Sequence, residues 1–522
     1  MRHIAAPPAA AALIMRSCSC LTGCCCCALL LAAPDSAVAP DDGRMPYPLM
    51  GFDAWAADPG RPNETAIISI ANALIRTGLR EAGYVYMNWL IGYSRNATTG
   101  SVQLAEPERW TGGSLKYVVG WLHSHGFKFS TGLSPDRTSC THEVGICGPR
   151  SASERYPATE HCHAVDDAKW FAEQGVDHWP SDECSTLCWN NSTCCVELYG
   201  RIWQAIQATG RNMSFGLYSG SGPCVARGYT WAPAISHYWR VGSDMKNVWS
   251  RAPGSVLGEV DRLIWDDAAR QVQGPGRYNF LDALVVGAPN RSNTGTAGSG
   301  LSIDEARSHM GLWVALASPL ILSVDVRNPI HPNVLAILTN PDVLAVHKDP
   351  LARQGKPIPA VFAGRPAEKL SEGLCEGYVS AREAAAQHPA NTSHHRMYVC
   401  APTVNDPVIV IAKPLLNGDT GLLFVNRGEL TQSEIVVAFD DMHTELVSNK
   451  AAALRRSQQV VRDLWDKSVP ATLANCCIRL PPLAPHASRF LRLSPARGKM
   501  DTQGACDQYR GQFQKCARIN IG

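Results

Sequence analysis

The chain has no surplus of either charge. Its 48 basic and 46 acidic side chains leave a formal charge of +2 over 522 residues. That balance gives no electrostatic ground for nucleic-acid binding, and no acidic tail is present to act as a solvating segment. Charged residues are scarce at 18%, while apolar residues reach 45%. This excludes a disordered chain, a collagen and a coiled coil. Beyond the first forty residues no apolar run approaches the roughly 20 residues needed to cross a bilayer. No internal repeat is present beyond a strand–helix rhythm. What the chain does have is length, with 43 Gly and 35 Pro. It has room for several domains of roughly 150 residues, or for one large barrel and a companion, with a sizeable core and many loops.

Residues 1–39 read as a secretory signal. Arg2, His3 and Arg16 precede an apolar run over 18–33, followed by the small residues of Ala32-Ala33-Pro34 and Ser36-Ala37-Val38-Ala39-Pro40. The alternative is a retained signal anchor, for which the run is short, and Pro40 leaves the cleavage point open. Six of the 20 cysteines lie in this segment, and the remaining fourteen form an even set that suits disulfides in a secreted chain. Seven Asn-x-Ser/Thr sequons begin at Asn63, Asn96, Asn190, Asn191, Asn212, Asn290 and Asn391, which supports the same route. His161-Cys162-His163 has the residue types of a metal site. In an oxidising compartment a disulfide cysteine between two surface histidines is the better reading, so no metal is expected.

From residue 45 onward, short apolar or β-branched runs alternate with amphipathic stretches. The runs cover 48–55, 84–91, 127–133, 176–182, 213–219, 238–244, 280–287 and 320–326. Between them Ile67, Ile70, Ala71, Leu74 and Ile75, then Leu198, Ile202, Ala205 and Ile206 beside Trp203, recur at helical spacing. This pattern predicts an α/β fold, an N-terminal (β/α)8 TIM barrel over 46–350. After Gly355 the pattern changes to short β-like runs at 398–401, 408–411, 421–426, 435–439 and 490–493, separated by Asn-Gly, Pro and polar turns. These predict a C-terminal antiparallel β-sandwich domain over 351–497. Residues 498–522, with Cys506 and Cys516, form a polar tail that is either a disulfide-closed flap or loose.

Barrel chemistry sits where strands end. The strings at those ends are Pro48-Leu49-Met50-Gly51-Phe52-Asp53-Ala54-Trp55, Asp177-His178-Trp179-Pro180-Ser181-Asp182-Glu183-Cys184, Tyr238-Trp239-Arg240-Val241-Gly242-Ser243-Asp244, and Tyr278-Asn279-Phe280-Leu281-Asp282. Ser318-Pro319-Leu320 through Arg327 and His347-Lys348-Asp349-Pro350 follow, and Phe424-Val425-Asn426-Arg427-Gly428 and Asp463-Leu464-Trp465 continue the series. Taken in order, from about Met45 to Pro495, these strings resemble glycoside hydrolase family 27, the α-galactosidases and α-N-acetylgalactosaminidases.

The resemblance implies a retaining glycosidase, in which one carboxylate attacks the anomeric carbon while the other protonates the leaving oxygen and then activates water. It matches Asp182 to the nucleophile and Asp244 to the acid/base. Arg240 matches an arginine near the sugar 2-position, Trp55 an aromatic on the sugar's apolar face, and Asp282 the second Asp of an Asn-Asp-Pro-Asp string. Cys140 and Cys184 match a disulfide beside the nucleophile. Singly, an Asp at a loop start is usually a cap, a Trp is core and an Arg pairs on a surface. The register of all five with the strand ends favours function.

The departures are equally specific. The family's paired aspartates after strand two fall at Leu90 and Ile91, its strand-three tyrosine at Gly132, and its lysine before the nucleophile at Pro180. Its reader of the 2-substituent falls near Leu217, and its Asp-Pro pair at Phe280-Leu281. The cleavage pair is kept while most of the galactose clamp is lost. The expectation is therefore hydrolysis of terminal α-galactosyl-type residues with altered specificity. The alternatives are a non-catalytic carbohydrate-binding relative, a β-L-arabinopyranosidase-like or α-N-acetylgalactosaminidase-like enzyme, or a barrel of unrelated chemistry. A carbohydrate substrate and no cofactor are expected, with no membrane attachment after signal cleavage and a secreted or lysosome-like location. A homodimer is compatible with this reading.

Overall fold

The computed structural model describes residues 42–55, 62–139, 144–147, 162–182, 192–218, 228–288, 300–358, 360–362, 398–400, 406–439, 458–496 and 517–518. The expected signal segment, the expected Cys140–Cys184 bridge and most of the tail lie outside these residues. Eight short strands form one parallel sheet: β1 (Met50–Asp53), β2 (Tyr86–Asn88), β3 (Lys128–Ser130), β4 (His178–Ser181), β5 (Ser214–Leu217), β6 (Tyr238–Arg240), β7 (Tyr278–Phe280) and β8 (Leu320–Leu322). Their order is β8-β1-β2-β3-β4-β5-β6-β7, and β7 and β8 meet through Leu284. The Leu284 N–H donates to the Ile321 carbonyl at 2.7 Å, and its own carbonyl accepts from Ser323 N at 3.2 Å. The sheet closes as a (β/α)8 barrel.

Seven of the strands lie inside the runs read from sequence. The seventh ends early, because Asp282 has φ 73°, a left-handed conformation that breaks the extended ladder. The expected run at 280–287 is therefore mostly the loop after β7.

Side chains alternate across the barrel wall, as the two-residue strand period requires. Phe52, Met87, Phe129, Trp179, Phe215 and Trp239 are buried in the layer between sheet and helices. Tyr86, Tyr238, Tyr278, Phe280 and Ile321 fill the barrel interior. Rings of that size fit because two inward positions are glycine. A Cβ on Gly51 would collide with Tyr86, and one on Gly216 with the Tyr238 ring. His178 joins this interior, its Nδ1 2.8 Å from Ser214 Oγ and its Nε2 2.7 Å from Tyr238 Oη. Burial pushes its pKa well below the usual imidazole range, so the ring is neutral.

The helices follow the spacing read from sequence. In α1 (Glu64–Arg76) the Asn63 side chain accepts the Ala66 N–H at 2.9 Å, and Ile67, Ile70, Ala71 and Leu74 form the buried face. The helices α2 (Lys116–Ser124), α3 (Ala164–Gln174), α4 (Ser192–Ala208), α5 (Val256–Leu263) and α6 (Ile303–Ala315) pack outside the sheet. Cys147 and Cys162 form a disulfide just ahead of α3, so the cysteine between two histidines is a bridge.

The C-terminal part is two sheets. The larger joins β9 (Lys356–Pro357), β12 (Val408–Pro414), β13 (Thr420–Asn426), β18 (Ser488–Pro495), β15 (Gln459–Asp463) and β16 (Thr472–Ala474), in that spatial order. The smaller joins β11 (Tyr398–Cys400), β10 (Ala360–Phe362), β14 (Ile435–Ala438), β17 (Cys477–Leu480) and β19 (Ala517–Arg518). All described pairs are antiparallel except β17 with β19, so the tail returns to the sheet edge as a parallel strand. Val410, Leu422, Phe424, Val437, Ile478 and Leu491 form the core between the sheets. The opposite face of the larger sheet, with Ile409, Ile411, Leu423 and Phe490, merges with the barrel core. Gly311 of α6 makes that approach possible, since a Cβ there would lie 2.9 Å from Leu423 Cδ1.

Gly216→Ala is expected to cost about 1–3 kcal/mol, because the new methyl displaces the Tyr238 ring from a filled interior. Adding Tyr238→Leu should return part of that loss in chemical denaturation. An unchanged midpoint for the single variant would contradict the packing described.

Candidate active site

The alternation that fills the barrel interior also sets what stands at its carboxyl-terminal rim. Asp53 ends β1, Asn88 ends β2, Ser130 ends β3 and Arg240 ends β6, all on inward positions. Asp182 follows β4 directly, and Asp282 lies two residues beyond β7. Arg240 is almost fully buried, with its Nη2 2.7 Å from Asp244 Oδ1 and its Nη1 3.7 Å from Asp282 Oδ1. Its Nε has no hydrogen-bond partner among the described residues. The Asp244 side chain is 85% exposed, whereas Asp282 is buried.

The charges in this ring act on one another. Burial pushes the half-buried Asp182 carboxyl up to about 7; Arg240 opposes the rise, and Asp244, Asp282 and Asp53 add to it. Burial likewise raises Asp53 and Asp282, with Arg240 working against it at both. Several carboxylates around a single guanidinium cannot all ionise at low cost, so they bind protons more readily than isolated aspartates.

The loop that carries Asp244 is clamped on both sides. The buried Glu259 of α5 accepts from Ser243 N at 3.1 Å and from Gly254 N at 2.7 Å. Gly242 is obligatory for this, because a Cβ there would overlap the Glu259 carboxylate. On the other side Asp282 Oδ2 accepts from Met245 N at 2.6 Å. The residues flanking Asp244 are thus fixed through their backbone while its own carboxylate stays open to solvent.

The structure brings Asp182, Asp244, Asp282 and Arg240 within electrostatic reach of one another. Trp55 stands at the same rim, 55% exposed, and its N–H donates to Asp53 Oδ1 at 2.8 Å. The clamp positions are less simple. Leu90 is exposed at the mouth, but Ile91 is buried in the layer behind the sheet, as is Leu217. A side chain at Gly132 would strike Trp179 rather than enter the mouth. Of the two residues matched to the family's paired aspartates, only Leu90 is exposed. Trp89 and Ile91, on either side of Leu90, both pack into that core layer.

Sequence reasoning missed Asp53, Asn88 and Glu259. Asn88 Nδ2 donates to Asp53 Oδ2 at 2.6 Å, and Ser130 Oγ reaches Asn88 Oδ1 at 3.3 Å. Counting by two back from Leu90 and Trp55 finds Asn88 and Asp53, whereas no local pattern marks Glu259. A separate cleft of about 360 Å³ lies at the seam of the barrel and the larger sheet, away from the strand ends. It is lined by Asp342, Asp419, Arg462, Asp463, Arg492 and others, and Arg492 pairs there with Asp419 at 2.6 Å.

The raised Asp182 value has a stability consequence. A carboxyl that ionises near 3.8 when unfolded and about 7 when folded contributes stability below the unfolded value, and loses it as pH rises through the folded one. Asp182→Asn should therefore raise the unfolding temperature at pH 7.5, by roughly 1–4 °C, and change it little at pH 4. Equal shifts at both pH values would contradict the assigned electrostatics.

The family model described as Alpha galactosidase A matches residues 57–349, more than half of the chain. A probable α-galactosidase of Dictyostelium discoideum is 28% identical over 328 residues, 62% of this chain and 74% of its own length. The α-N-acetylgalactosaminidase of Mus musculus is 30% identical over 337 residues, 61% of this chain and 72% of its own. Among solved structures, α-galactosidase I of Mortierella vinacea superposes with a TM-score of 0.65 at 20% identity, covering 89% of this chain and all of that one. The barrel with its appended sheets is the fold of that enzyme. The chain belongs to glycoside hydrolase family 27, the α-galactosidase family.

Proposed function

We propose that the chain is a retaining glycosidase in which Asp182 attacks the anomeric carbon and Asp244 protonates the leaving oxygen. The observation that carries this reading is the shared environment of the two carboxylates around Arg240 at the strand ends. Asp182 sits at the rim of the barrel wall, where it can reach a sugar from below. Asp244 projects from a clamped loop into solvent, where it can reach a leaving group and afterwards a water. Arg240 lies near both and stabilises charge as it moves between them.

Burial raises Asp182 to about 7, although a nucleophile must be ionised. Depth and exposure support the roles given, and the raised value then sets the acid side of the activity profile. kcat/KM should rise with pH up to about 7 as Asp182 loses its proton. If Asp182 were instead the acid, kcat/KM would fall through the same region. Asp182→Asn should remove nearly all turnover. Asp244→Ala should retain slow cleavage of aryl glycosides with good leaving groups, accelerated by azide, and the first-released sugar should keep its anomeric configuration. Ordinary turnover in the Asp182 variant would overturn the assignment.

The Cys147–Cys162 bridge and the sequons, of which Asn212 is exposed, support passage through a secretory compartment. No described helix is long and apolar enough to cross a membrane. A second reading, a carbohydrate-binding relative without turnover, is favoured by the replaced clamp, where Leu90 and Pro180 cannot bond sugar hydroxyls as charged groups do.

That replacement yields a specificity prediction. Two lost contacts at roughly 1.5–3 kcal/mol each correspond to about a hundredfold or more in kcat/KM. An aryl α-galactoside should therefore be cleaved at least about a hundredfold below the usual enzyme range of roughly 10⁴–10⁸ M⁻¹s⁻¹. The matching β-L-arabinopyranoside, which lacks the 6-hydroxymethyl group, should be cleaved better. Efficient cleavage of the galactoside would show that other groups hold that end of the sugar.

A further inference from the structure

Asp53 has no part in the cleavage chemistry, yet it stands on the inward side of β1 within electrostatic reach of Asp182, Asp282 and Arg240. Its carboxylate is held on both oxygens, by Trp55 N–H at 2.8 Å and by Asn88 Nδ2 at 2.6 Å. Asn88 is held in turn by Ser130 Oγ at 3.3 Å. An ionised carboxylate offers about four acceptor positions, so roughly two remain after these bonds. Two residues further along, the Trp55 ring is exposed at the rim. A fixed acceptor pair beside an aromatic face is the combination a neutral pyranose requires. Its hydroxyls donate to the acceptors while its C–H face covers the ring.

We propose that Asp53, braced by Asn88, accepts hydrogen bonds from hydroxyls of the terminal sugar and is the main determinant of which sugar this site takes. The substrate class is a neutral pyranoside with a free hydroxyl, or two neighbouring ones, facing β1. A sugar carrying a carboxylate or phosphate on that side is repelled by Asp53. The polar contacts absent from the positions after β2 are supplied from β1 and from the end of β2 itself. This rests on the glycosidase reading for its turnover test but not for its binding test.

The experiment compares the intact wild-type protein with Asp53→Asn, Asp53→Ala and Asn88→Ala, each checked for folding by circular dichroism and thermal melting. Each is assayed on an aryl glycoside it cleaves and on that glycoside's monodeoxy analogues. The Asp53 variants should lose roughly ten- to a hundredfold in kcat/KM on the parent sugar. For the one analogue lacking the hydroxyl that Asp53 reads, the loss should shrink to within about twofold. Asn88→Ala should show the same pattern with a smaller loss. Equal losses on every analogue would mean that Asp53 only supports the scaffold, and no loss would mean that it does not touch the sugar. Either result overturns the proposal. Calorimetric titration with free galactose and L-arabinose provides a readout independent of turnover. If the wild type cleaves nothing but binds a sugar, the glycosidase reading falls, while weaker binding by the Asp53 variants still supports this proposal. If binding is unchanged in the variants, or absent in the wild type, the proposal falls.

Discussion

A single buried guanidinium organises the rim of the barrel. Arg240 ends β6 facing inward, and four aspartates from four separate segments converge around it: Asp53, Asp182, Asp244 and Asp282. Without that cation the carboxylates would repel one another in a poorly solvated site, and protonation would be the only relief. With it, the rise in carboxyl pKa that burial causes at Asp53, Asp182 and Asp282 is opposed by a fixed positive charge. The pairing is unequal. The 2.7 Å contact goes to the solvent-exposed Asp244, and the 3.7 Å contact to the buried Asp282. The exposed partner is thus held by the guanidinium, and the buried one is positioned mainly by other bonds.

Those other bonds explain features that would otherwise look costly. Asp282 adopts φ 73°, a conformation disfavoured for a side chain with a Cβ. In that conformation its carboxylate receives Met245 N–H, and its carbonyl accepts from Trp313 Nε1 at 3.0 Å. The strained residue therefore joins the Asp244 loop to α6. Glu259 performs the matching task from α5, buried and bonded to Ser243 and Gly254, with Gly242 kept bare beside it. Val241, Met245 and Trp249 pack the loop against the core, and two buried carboxylates fix its backbone.

The sequence made the barrel readable because strand runs and helical spacing are local signals. Ile67, Ile70 and Leu74 could be placed on a buried face without any knowledge of their partners. Asp182 and Asp244 could be singled out only through ordered resemblance, since nothing local distinguishes Asp244 from a turn aspartate. The end of β7 was misjudged because Leu281, Leu284, Val285 and Val286 look like a continuing strand. The left-handed turn at Asp282 depends on contacts from Met245 and Trp313 that lie far away in sequence. Glu259 was invisible for the same reason. The parallel return of β19 to β17 could not be inferred from a short polar tail.

Residues in a strand alternate faces, so comparing a family position by position says which residue types have changed but not which still face the substrate. At 90 and 91 the replaced pair divides, with Leu90 toward the mouth and Ile91 into the core. At 217 the matched residue faces the helices, while Tyr218 next to it belongs to the barrel interior. What the opening presents is therefore set by parity. Asp53 and Asn88 take the last inward positions of β1 and β2, and Trp55 and Leu90 stand exposed two residues beyond each strand. The register pairs Asp53 with Asn88 directly. A polar step, Asp53–Asn88–Ser130, thus crosses three neighbouring strands below an apolar step of Trp55 and Leu90. A sugar lowered into this opening would pass hydrocarbon first and meet acceptors only near the level of Asp182. If Asp53 reads the sugar as proposed, recognition in this chain lies at the strand ends, where hydrogen bonds between neighbouring strands hold the acceptors in place.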